Sequence, residues 1–403
     1  MPNLSIVGLQ WGDEGKGKIV DYIADGFQAV ARFSGGSNTG HTVVVGEERH
    51  TFRLLPSGVL KGKELLIGAG VALDPMVLAE ELSVFPDARA KLLIDGRCTL
   101  VSPLDKQLDS AVEGMRGDFA IGTTLRGIGP SYAARALRLS PRVIDLFEGF
   151  DYAAMARFYE KLSVDAGSLL GWGEESEALL DGVVGNVGGR VKQINEMGGS
   201  VLFEGSQGTL LDLTHGSYPY VTSTNTTAAH VPAAMGIPAS ATGPSLGVAK
   251  CYTTRAGGGP FPTEIKDSLA DSIRTAGNEF NETEERPSRV GWLDLVALRY
   301  AIDLNGTREI ALSKLDVMSQ VRDFKVCVAY KWQGSETTDF QSSIGHLGSV
   351  EPVYESPFPL RGANFEGGLP KEGRKLVDYL EKNLGVRVRL VSYGEDRSTT
   401  AEL

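Results

Sequence analysis

Short apolar runs recur along the chain and alternate with polar or glycine-rich segments. The runs have the length and composition of strands: SIVGL, TVVVG, ELLIGAG, KLLIDG, SVLFEG, SLGVAKCY, EIALSKLD, KVCVAY and VRVRLVSYG. Several lead into helical spacing, as in LDPMVLAEELS, where Asp74 suits an N-cap and Pro75 suits the first helical position. Strands that alternate with helices predict an α/β fold with a large, mainly parallel central sheet flanked by helices.

Longer glycine-rich or polar segments interrupt this pattern and predict functional loops and small subdomain insertions, because loops of this length are seldom idle in a compact domain. They are FSGGSNTGHT, IGTTLRGIGPSY, THGSYPYVTSTNTTAAHVP, TTRAGGGPFPTE and NEFNETEERPSRVGW. No linker divides the chain, so we expect residues 1–403 to form a single domain with insertions. In such a sheet, ligands bind at the loops after the carboxyl ends of strands.

Charge and cysteine content narrow the class of protein. The chain has 40 basic and 51 acidic residues and a net charge of −11, which disfavours nucleic acid or an anionic membrane as a partner. Cys98, Cys251 and Cys327 are widely spaced and indicate neither a disulfide framework nor a zinc site. With no signal-peptide pattern and no apolar run of about 18 residues, we expect a cytoplasmic protein.

The segment QWGDEGKGK follows an apolar run and has Walker A spacing from Gly12 to Lys18, with Ile19 where Ser or Thr usually binds magnesium. The order strand, tight turn and helix predicts a phosphate site like that of P-loop NTPases. Asp13 and Glu14 oppose anion binding unless they have a function of their own. Asp13 is either a helix N-cap or a group that binds Mg²⁺ or accepts a proton beside a phosphoryl group.

His41 ends the glycine-rich loop SNTGHT just before a predicted strand. A lone loop histidine is often structural. Its neighbours Asn38, Thr39 and Gly40 form a polar wall, however, where an imidazole could meet a phosphate or a developing oxyanion.

The segment SKLD, at residues 313–316, follows the apolar run EIAL and is similar to the Asn/Thr-Lys-x-Asp element that reads guanine in GTP-binding proteins. In that element the carboxylate accepts the ring N–H and amino hydrogens of guanine, which adenine cannot supply. The alternative is a surface Lys314 and Asp316 at a strand end. A further loop, ETEERPSRVGW, offers Thr283, Arg286 and Arg289 either as an anion-binding fork or as a solvated loop.

Eight blocks in this order resemble the adenylosuccinate synthetase family over essentially the whole chain: QWGDEGKGK, GGSNTGHT, IGTTLRGIGP, FEGSQGTLLD, YPYVTSTNTT, TRAGGGPFPTE, GNEF…VGWLD and SKLD. The resemblance implies a homodimeric ligase that makes adenylosuccinate from IMP, L-aspartate and GTP with Mg²⁺. In this chemistry the N1 proton of IMP is removed, the 6-oxygen attacks the γ-phosphate of GTP, and the amine of aspartate then displaces phosphate.

The resemblance also implies roles for single residues. The catalytic residues would be Asp13, His41 and Lys16, and the magnesium ligands Asp13 and Gly40. IMP would be bound by Asn38, Thr39, Gly40, Thr124, Gln207, Thr222 and Arg286, with Arg138 reaching the neighbouring site across the dimer. GTP would be bound by Gly12, Glu14, Gly15, Gly17, Lys18, Lys314, Asp316, Ser392 and Gly394, and aspartate by Arg126, Thr283 and Arg286.

Departures from the family pattern lie near the same pockets: Leu125 replaces a usual Gly, Ser288 an Arg, and Ser37 a common His, while Tyr393 and Glu395 alter the C-terminal Ser-Thr-Gly-Pro-Asp-Arg. Two alternatives therefore stay open. One is a paralogue that acts on dGMP or another 6-oxopurine nucleotide, with GTP or ATP. The other is a nucleotide-binding regulator without turnover.

Overall fold

Most of the apolar runs form strands of one large sheet. The computed structural model describes residues 2–162, 164–280, 287–321, 324–356 and 360–403. Its strands are β1 (Leu4–Gly8), β2 (Ala29–Arg32), β3 (His41–Val45), β4 (Glu48–Phe52), β5 (Glu64–Ile67), β6 (Ala72–Leu73), β7 (Leu92–Asp95), β8 (Thr99–Leu100), β9 (Val184–Gly185), β10 (Val201–Gly208), β11 (Ser245–Lys250), β12 (Thr253–Arg255), β13 (Arg289–Gly291), β14 (Leu293–Asp294), β15 (Glu309–Ser313), β16 (Val326–Trp332), β17 (Ser335–Thr337), β18 (Glu351–Glu355), β19 (Arg387–Ser392) and β20 (Thr400–Glu402).

Helices connect the strands. They are α1 (Lys16–Ile23), α2 (Pro75–Val84), α3 (Pro103–Arg116), α4 (Ile128–Leu137), α5 (Asp145–Glu148), α6 (Tyr152–Glu160), α7 (Leu169–Leu180), α8 (Val187–Glu196), α9 (Val231–Met235), α10 (Ser268–Gly277), α11 (Leu295–Asn305), α12 (Leu315–Met318), α13 (Phe340–Ser343) and α14 (Lys371–Leu384). The predicted start of α2 is observed, because the Asp74 side chain accepts a hydrogen bond from the N–H of Val77 at 3.4 Å. Among the helices described here, none is long and apolar enough to cross a membrane.

The central sheet has ten strands in the order β20-β19-β15-β11-β1-β10-β2-β5-β7-β9. Every neighbouring pair is parallel except β19 and β20 at one edge. This confirms the predicted large, mainly parallel sheet flanked by helices. Since β1 lies between β10 and β11, its carboxyl end is near the middle of the edge where the parallel strands end. Ligands bind at this edge in folds of this type.

Both faces of the sheet are covered. Ile6 of β1 packs with Ile19 and Val20 of α1 on one face. Val7 points to the other face and belongs to a larger apolar cluster that includes Val191 of α8. This burial on both faces explains why the strands read as continuous apolar runs.

Two of the apolar runs lie outside the central sheet. TVVVG forms β3, which pairs with β4 in a hairpin, and KVCVAY forms β16, the middle of a smaller sheet with β14, β17 and β18. The strand β2, which pairs with β10 and β5, was not among the predicted runs. Its sequence AVAR contains two alanines and ends in a buried arginine, so it lacks the bulk of a typical strand.

Candidate active site

The carboxyl ends of β1, β10 and β15 open into a cavity of about 710 Å³. Most residues singled out in the sequence line it: Gly12, Asp13, Gly15, Lys16, Gly17, Lys18, Asn38, Thr39, Gly40, His41, Thr124, Gln207, Thr222, Lys314, Ser392 and Gly394. Within the described part of the chain, Glu14, Arg126, Arg138 and Asp316 do not line it.

Glu14, one of the two acids of the loop after β1, is buried and folds back on the loop. Its Oε1 accepts hydrogen bonds from the N–H groups of Gln10 and Gly12, each at 3.0 Å, and its Oε2 lies 2.6 Å from Nζ of Lys16. Burial alone would raise the pKa of Glu14, but Lys16 holds it below its ordinary value. The Glu14 side chain therefore stabilises the loop and neutralises Lys16.

Asp13, the other acid, faces the cavity. It has a φ of 58° and is exposed to solvent. Helix α1 begins at Lys16, its N-cap residue is Gly15, and no side chain of this described segment caps it. The interpretation of Asp13 as an N-cap is therefore wrong. Asp13 lines the cavity, and the protein around this cavity withdraws the carboxylate from bulk water. This burial raises the pKa of Asp13, against the charge of Lys250, which suits a proton acceptor.

His41, the first residue of β3, is buried against Glu204 of β10. Its Nδ1 is hydrogen-bonded to Oε1 of Glu204, and its Nε2 lies 3.3 Å from the carbonyl oxygen of Ser206. Glu204 also accepts from the N–H of Ser57 at 2.9 Å and from its hydroxyl at 2.7 Å. Burial lowers the pKa of His41, and Arg32 adds to this while Glu204 opposes it. Since a carboxylate accepts at Nδ1, we assign the proton of the neutral ring to Nδ1.

Arg32, the last residue of β2, balances the charge of Glu204. Its Nη1 lies 3.9 Å from Oε1 of Glu204, and its Nη2 donates to the hydroxyls of Ser206 at 2.8 Å and Thr39 at 3.4 Å. Burial alone would raise the pKa of Glu204, but His41 and Arg32 hold it below its ordinary value. Arg32 and Glu204 therefore form a buried ion pair directly behind His41, which lines the cavity.

Three residues predicted to bind the purine nucleotide lie in a hydrogen-bonded chain. Gln207 Nε2 donates to Oδ1 of Asn38 at 3.2 Å, and Asn38 Nδ2 donates to the hydroxyl of Thr222 at 3.5 Å. Oε1 of Gln207 is buried and has no hydrogen-bond partner among the described residues. It is therefore an acceptor that a ligand donor could satisfy.

Two carboxylates of α3 hold the segment 121–127 against the cavity. Glu113 accepts from the N–H of Gly122 at 2.6 Å, and Asp109 accepts from the N–H of Gly127 at 2.9 Å. Both carboxylates also line the cavity. They lie one helical turn apart, so α3 fixes both ends of this segment.

The residues between these anchors are placed differently. Thr124 lines the cavity, whereas Arg126 is partly exposed outside it. Leu125 has a φ of 55°, a conformation that suits the glycine usual at this position and strains a branched side chain. Arg138 is exposed at the end of α4, where it donates to the carbonyl of Ala136 at 2.9 Å, away from this cavity.

Lys314 and Asp316 follow β15 directly, as predicted. Lys314 has a φ of 61° and donates to the carbonyl of Gly277 at 2.7 Å, while the Ser313 hydroxyl donates to the carbonyl of Glu14 at 2.7 Å. Burial raises the pKa of Asp316, against the charge of Lys314. Oδ1 of Asp316 is buried without a hydrogen-bond partner in the described residues, so a base with a ring N–H could supply the missing donor.

The loop predicted to receive aspartate is described only in part. Thr283 and Arg286 lie outside the described residues. Ser288 is buried and lines the cavity. Arg289 is engaged by Glu264 through two hydrogen bonds of 2.6 and 2.7 Å, so it serves this ion pair.

Comparison with known families agrees with this geometry. The family model for adenylosuccinate synthetase matches residues 5–401. The chain belongs to the adenylosuccinate synthetase family. This confirms the resemblance in the sequence and makes the protein a ligase that forms a carbon–nitrogen bond.

Relatives of the chain carry the same family name. Adenylosuccinate synthetase of Moorella thermoacetica is 41% identical, with 100% of this chain and 99% of the relative covered. The fully ligated adenylosuccinate synthetase of Plasmodium falciparum has a TM-score of 0.91 at 30% identity, with both chains fully covered. Cyanophage S-2L succinoaminodeoxyadenylate synthetase, bound to dGMP and dATP, has a TM-score of 0.66 at 20% identity, covering 100% of this chain and 95% of that one, which shows a shared fold alone.

Several site residues of this adenylosuccinate synthetase family member were missed in the sequence. Glu204 and Arg32 are examples, and an acid at the end of the apolar run SVLF was the available signal. Lys250 and Glu279 form a buried ion pair of 3.0 Å, and both affect the pKa of Asp13. A lysine inside the strand run SLGVAK was the corresponding signal, because a buried lysine needs a partner.

Proposed function

We propose that the protein joins L-aspartate to C6 of IMP and consumes GTP, giving adenylosuccinate, GDP and phosphate. The observation that carries this proposal is the exposed carboxylate of Asp13, which shares one cavity with His41 and the base-reading segment at Lys314. A ligase of this type needs a proton acceptor beside a transferring phosphoryl group, and an acid within a phosphate-binding loop meets that need.

In the proposed reaction, Asp13 takes the N1 proton of IMP, and the 6-oxygen attacks the γ-phosphate of GTP. His41 stabilises the phosphoryl group in transfer. The ammonium group of Lys16 leaves the carboxylate of Glu14 and binds phosphate oxygens instead. The amine of aspartate then displaces phosphate from C6. General acid–base catalysis typically raises the rate of such a step about 10²–10⁴-fold.

Mg²⁺ would be held by the carboxylate of Asp13 and the carbonyl of Gly40. Both residues are exposed at the same cavity, and hard oxygen donors beside substrate phosphates suit this ion. When bound, Mg²⁺ neutralises charge on the phosphates.

The remaining roles are proposals of the same kind. IMP is bound by Asn38, Thr39, Gly40, Thr124, Gln207, Thr222 and Arg286. GTP is bound by Gly12, Glu14, Gly15, Gly17, Lys18, Lys314, Asp316, Ser392 and Gly394, and at Glu14 and Lys18 the backbone of the loop makes the contact. Aspartate is bound by Arg126, Thr283 and Arg286. We also propose a cytoplasmic homodimer, and the exposed position of Arg138 supports its reach into a partner's cavity.

The test is turnover of purified protein with Mg²⁺, GTP and aspartate, presented with IMP or with dGMP and followed by purine absorbance and phosphate release. We expect turnover with IMP. Turnover with dGMP alone would favour the paralogue, and silence with every purine would favour a regulator. Asp13→Asn should nearly abolish product while GTP still binds, and near-normal turnover of that variant would remove Asp13 from its role.

A further inference from the structure

Lys18 occupies the Walker lysine position, yet its ammonium group points to the C-terminal part of the chain. Its Nζ donates to the hydroxyl of Ser392 at 2.7 Å, the carbonyl of Gly394 at 2.8 Å and the hydroxyl of Thr399 at 2.9 Å, with the carbonyl of Thr399 at 3.3 Å. An ammonium group has three N–H donors. These acceptors therefore use all of them and leave none for a phosphate.

A second contact joins the same helix to the same segment. Asp21 lies three residues after Lys18, on the same side of α1, and accepts a hydrogen bond from Nη2 of Arg397 at 2.6 Å. Asp21 is fully buried, and Lys18 is 7% exposed. Helix α1 thus holds the segment 392–399 at two points.

The far side of this segment is attached elsewhere. Oδ2 of Asp396 accepts from the N–H of Gly46 at 2.7 Å, in the turn between β3 and β4. The hydroxyl of Thr399, which accepts from Lys18, donates to the carbonyl of Asp396 at 2.6 Å. The segment is therefore a bridge between α1 and the β3–β4 hairpin, and the position of Ser392 and Gly394 depends on it.

The charge of Lys18 lies near the base-reading acid. Burial lowers the pKa of Lys18 to about 8, and the charge of Asp316 opposes this shift. An ammonium group withdrawn from water in this way depends on the acceptors that the protein supplies, which here are those of Ser392, Gly394 and Thr399.

We propose that Lys18 is a positioning residue of the base pocket. It fixes the segment 392–399, with Ser392 and Gly394, against α1 beside Asp316, and it is not a ligand of the triphosphate. This inference rests on the proposed use of GTP. It makes the lysine of a Walker-like loop part of base selection.

The experiment compares wild type with Lys18→Met by titration calorimetry with GTP, ATP and inorganic triphosphate, each with Mg²⁺. If Lys18 positions the base pocket, GTP affinity should fall about 10- to 100-fold, as expected for hydrogen bonds to a charged group. ATP and inorganic triphosphate should change less than twofold, so the preference for GTP over ATP should fall with GTP affinity. An equal loss for all three would show a phosphate ligand and overturn the inference.

Thr399→Val tests the same contact from the other side without altering the phosphate loop. It should weaken GTP in the same direction and leave inorganic triphosphate unchanged, and its effect should vanish in the Lys18→Met background. Unchanged GTP affinity in Thr399→Val, or full additivity of the two changes, would overturn the inference even if Lys18→Met failed to fold. Lys61→Met is a matched control, because Lys61 pairs with Asp25 at 2.7 Å on the surface and should bind all three ligands as wild type does.

Binding and turnover of the wild-type protein distinguish a failure of this inference from a failure of the proposed function. Wild type that prefers GTP over ATP but has no turnover would contradict the proposed reaction alone, and the Lys18 comparison would still decide the inference. Wild type that binds GTP and ATP equally would refute the guanine assignment and the inference together.

Discussion

Replacement of Glu204 by Gln removes a negative charge that contacts both His41 and Arg32. The amide of the variant fits best with its oxygen toward the N–H of Ser57. In wild type, Oε2 of Glu204 accepts from this N–H at 2.9 Å. The NH₂ group of the amide then faces Nδ1 of His41. That nitrogen must become an acceptor, so the ring proton moves to Nε2.

The effect on stability follows from the distance between the charges. Arg32 Nη1 and Glu204 Oε1 are 3.9 Å apart, which corresponds to an attraction of about 4 kcal/mol at an effective dielectric constant of 20. Breaking a buried pair by removing one partner usually costs about 3–5 kcal/mol. We therefore expect the free energy of unfolding of Glu204→Gln to fall by about 3 kcal/mol. We expect turnover to fall by about 10²-fold or more, because the neutral amide no longer balances a positive charge on His41 beside the phosphoryl group.

The assay is urea unfolding together with steady-state turnover at saturating substrates. The control is Glu81→Gln, because Glu81 is also buried but accepts from backbone N–H groups, including that of Leu55 at 2.8 Å, and has no hydrogen bond to His41. The control should lose stability without a comparable loss of turnover. Turnover of Glu204→Gln within twofold of wild type would refute the role assigned to this pair.

Two further predictions concern other buried acids. Asp316→Asn should reduce the preference for GTP over ATP about 10-fold or more, because the acceptor for the guanine N–H groups loses its charge; unchanged discrimination in KM measurements would contradict the guanine assignment. Burial raises the pKa of Asp294 to about 6 from 3.8, so the folded state binds its proton more tightly than the unfolded state does. The stability of wild type should therefore fall relative to Asp294→Asn by roughly 3 kcal/mol as pH rises from about 3 to about 7, and parallel stability curves from urea unfolding at these pH values would disprove this.

Most strands of the central sheet were predictable because they are buried on both faces and therefore form continuous apolar runs. Runs such as SVLFEG and EIALSKLD became β10 and β15 of that sheet. The run KVCVAY was assigned as a strand equally well, but nothing in its composition says that it belongs to another sheet. Strand β2 was missed because small alanines carry its packing. The single domain over residues 1–403 stays a prediction.

The site was predictable where a motif carries chemistry in consecutive residues. The segments at Asp13 and Lys314 are of this kind, and both line the cavity. Glu14 and Lys18 lie in the same motif, yet their side chains serve contacts within the protein. Their partners are set by the tertiary fold, and local spacing cannot reveal them.

The bridge formed by the segment 392–399 also bears on how this protein reaches its working form. Lys18 and Ser392 are 374 positions apart along the chain, although their side chains touch. Contacts of such separation form late and slowly, since a long stretch of chain must be ordered first. If the segment 392–399 positions the base pocket as proposed, the pocket is complete only after β19 and this segment have folded onto α1, and a cut that removes the segment would weaken the preference for GTP while most of the sheet stays formed.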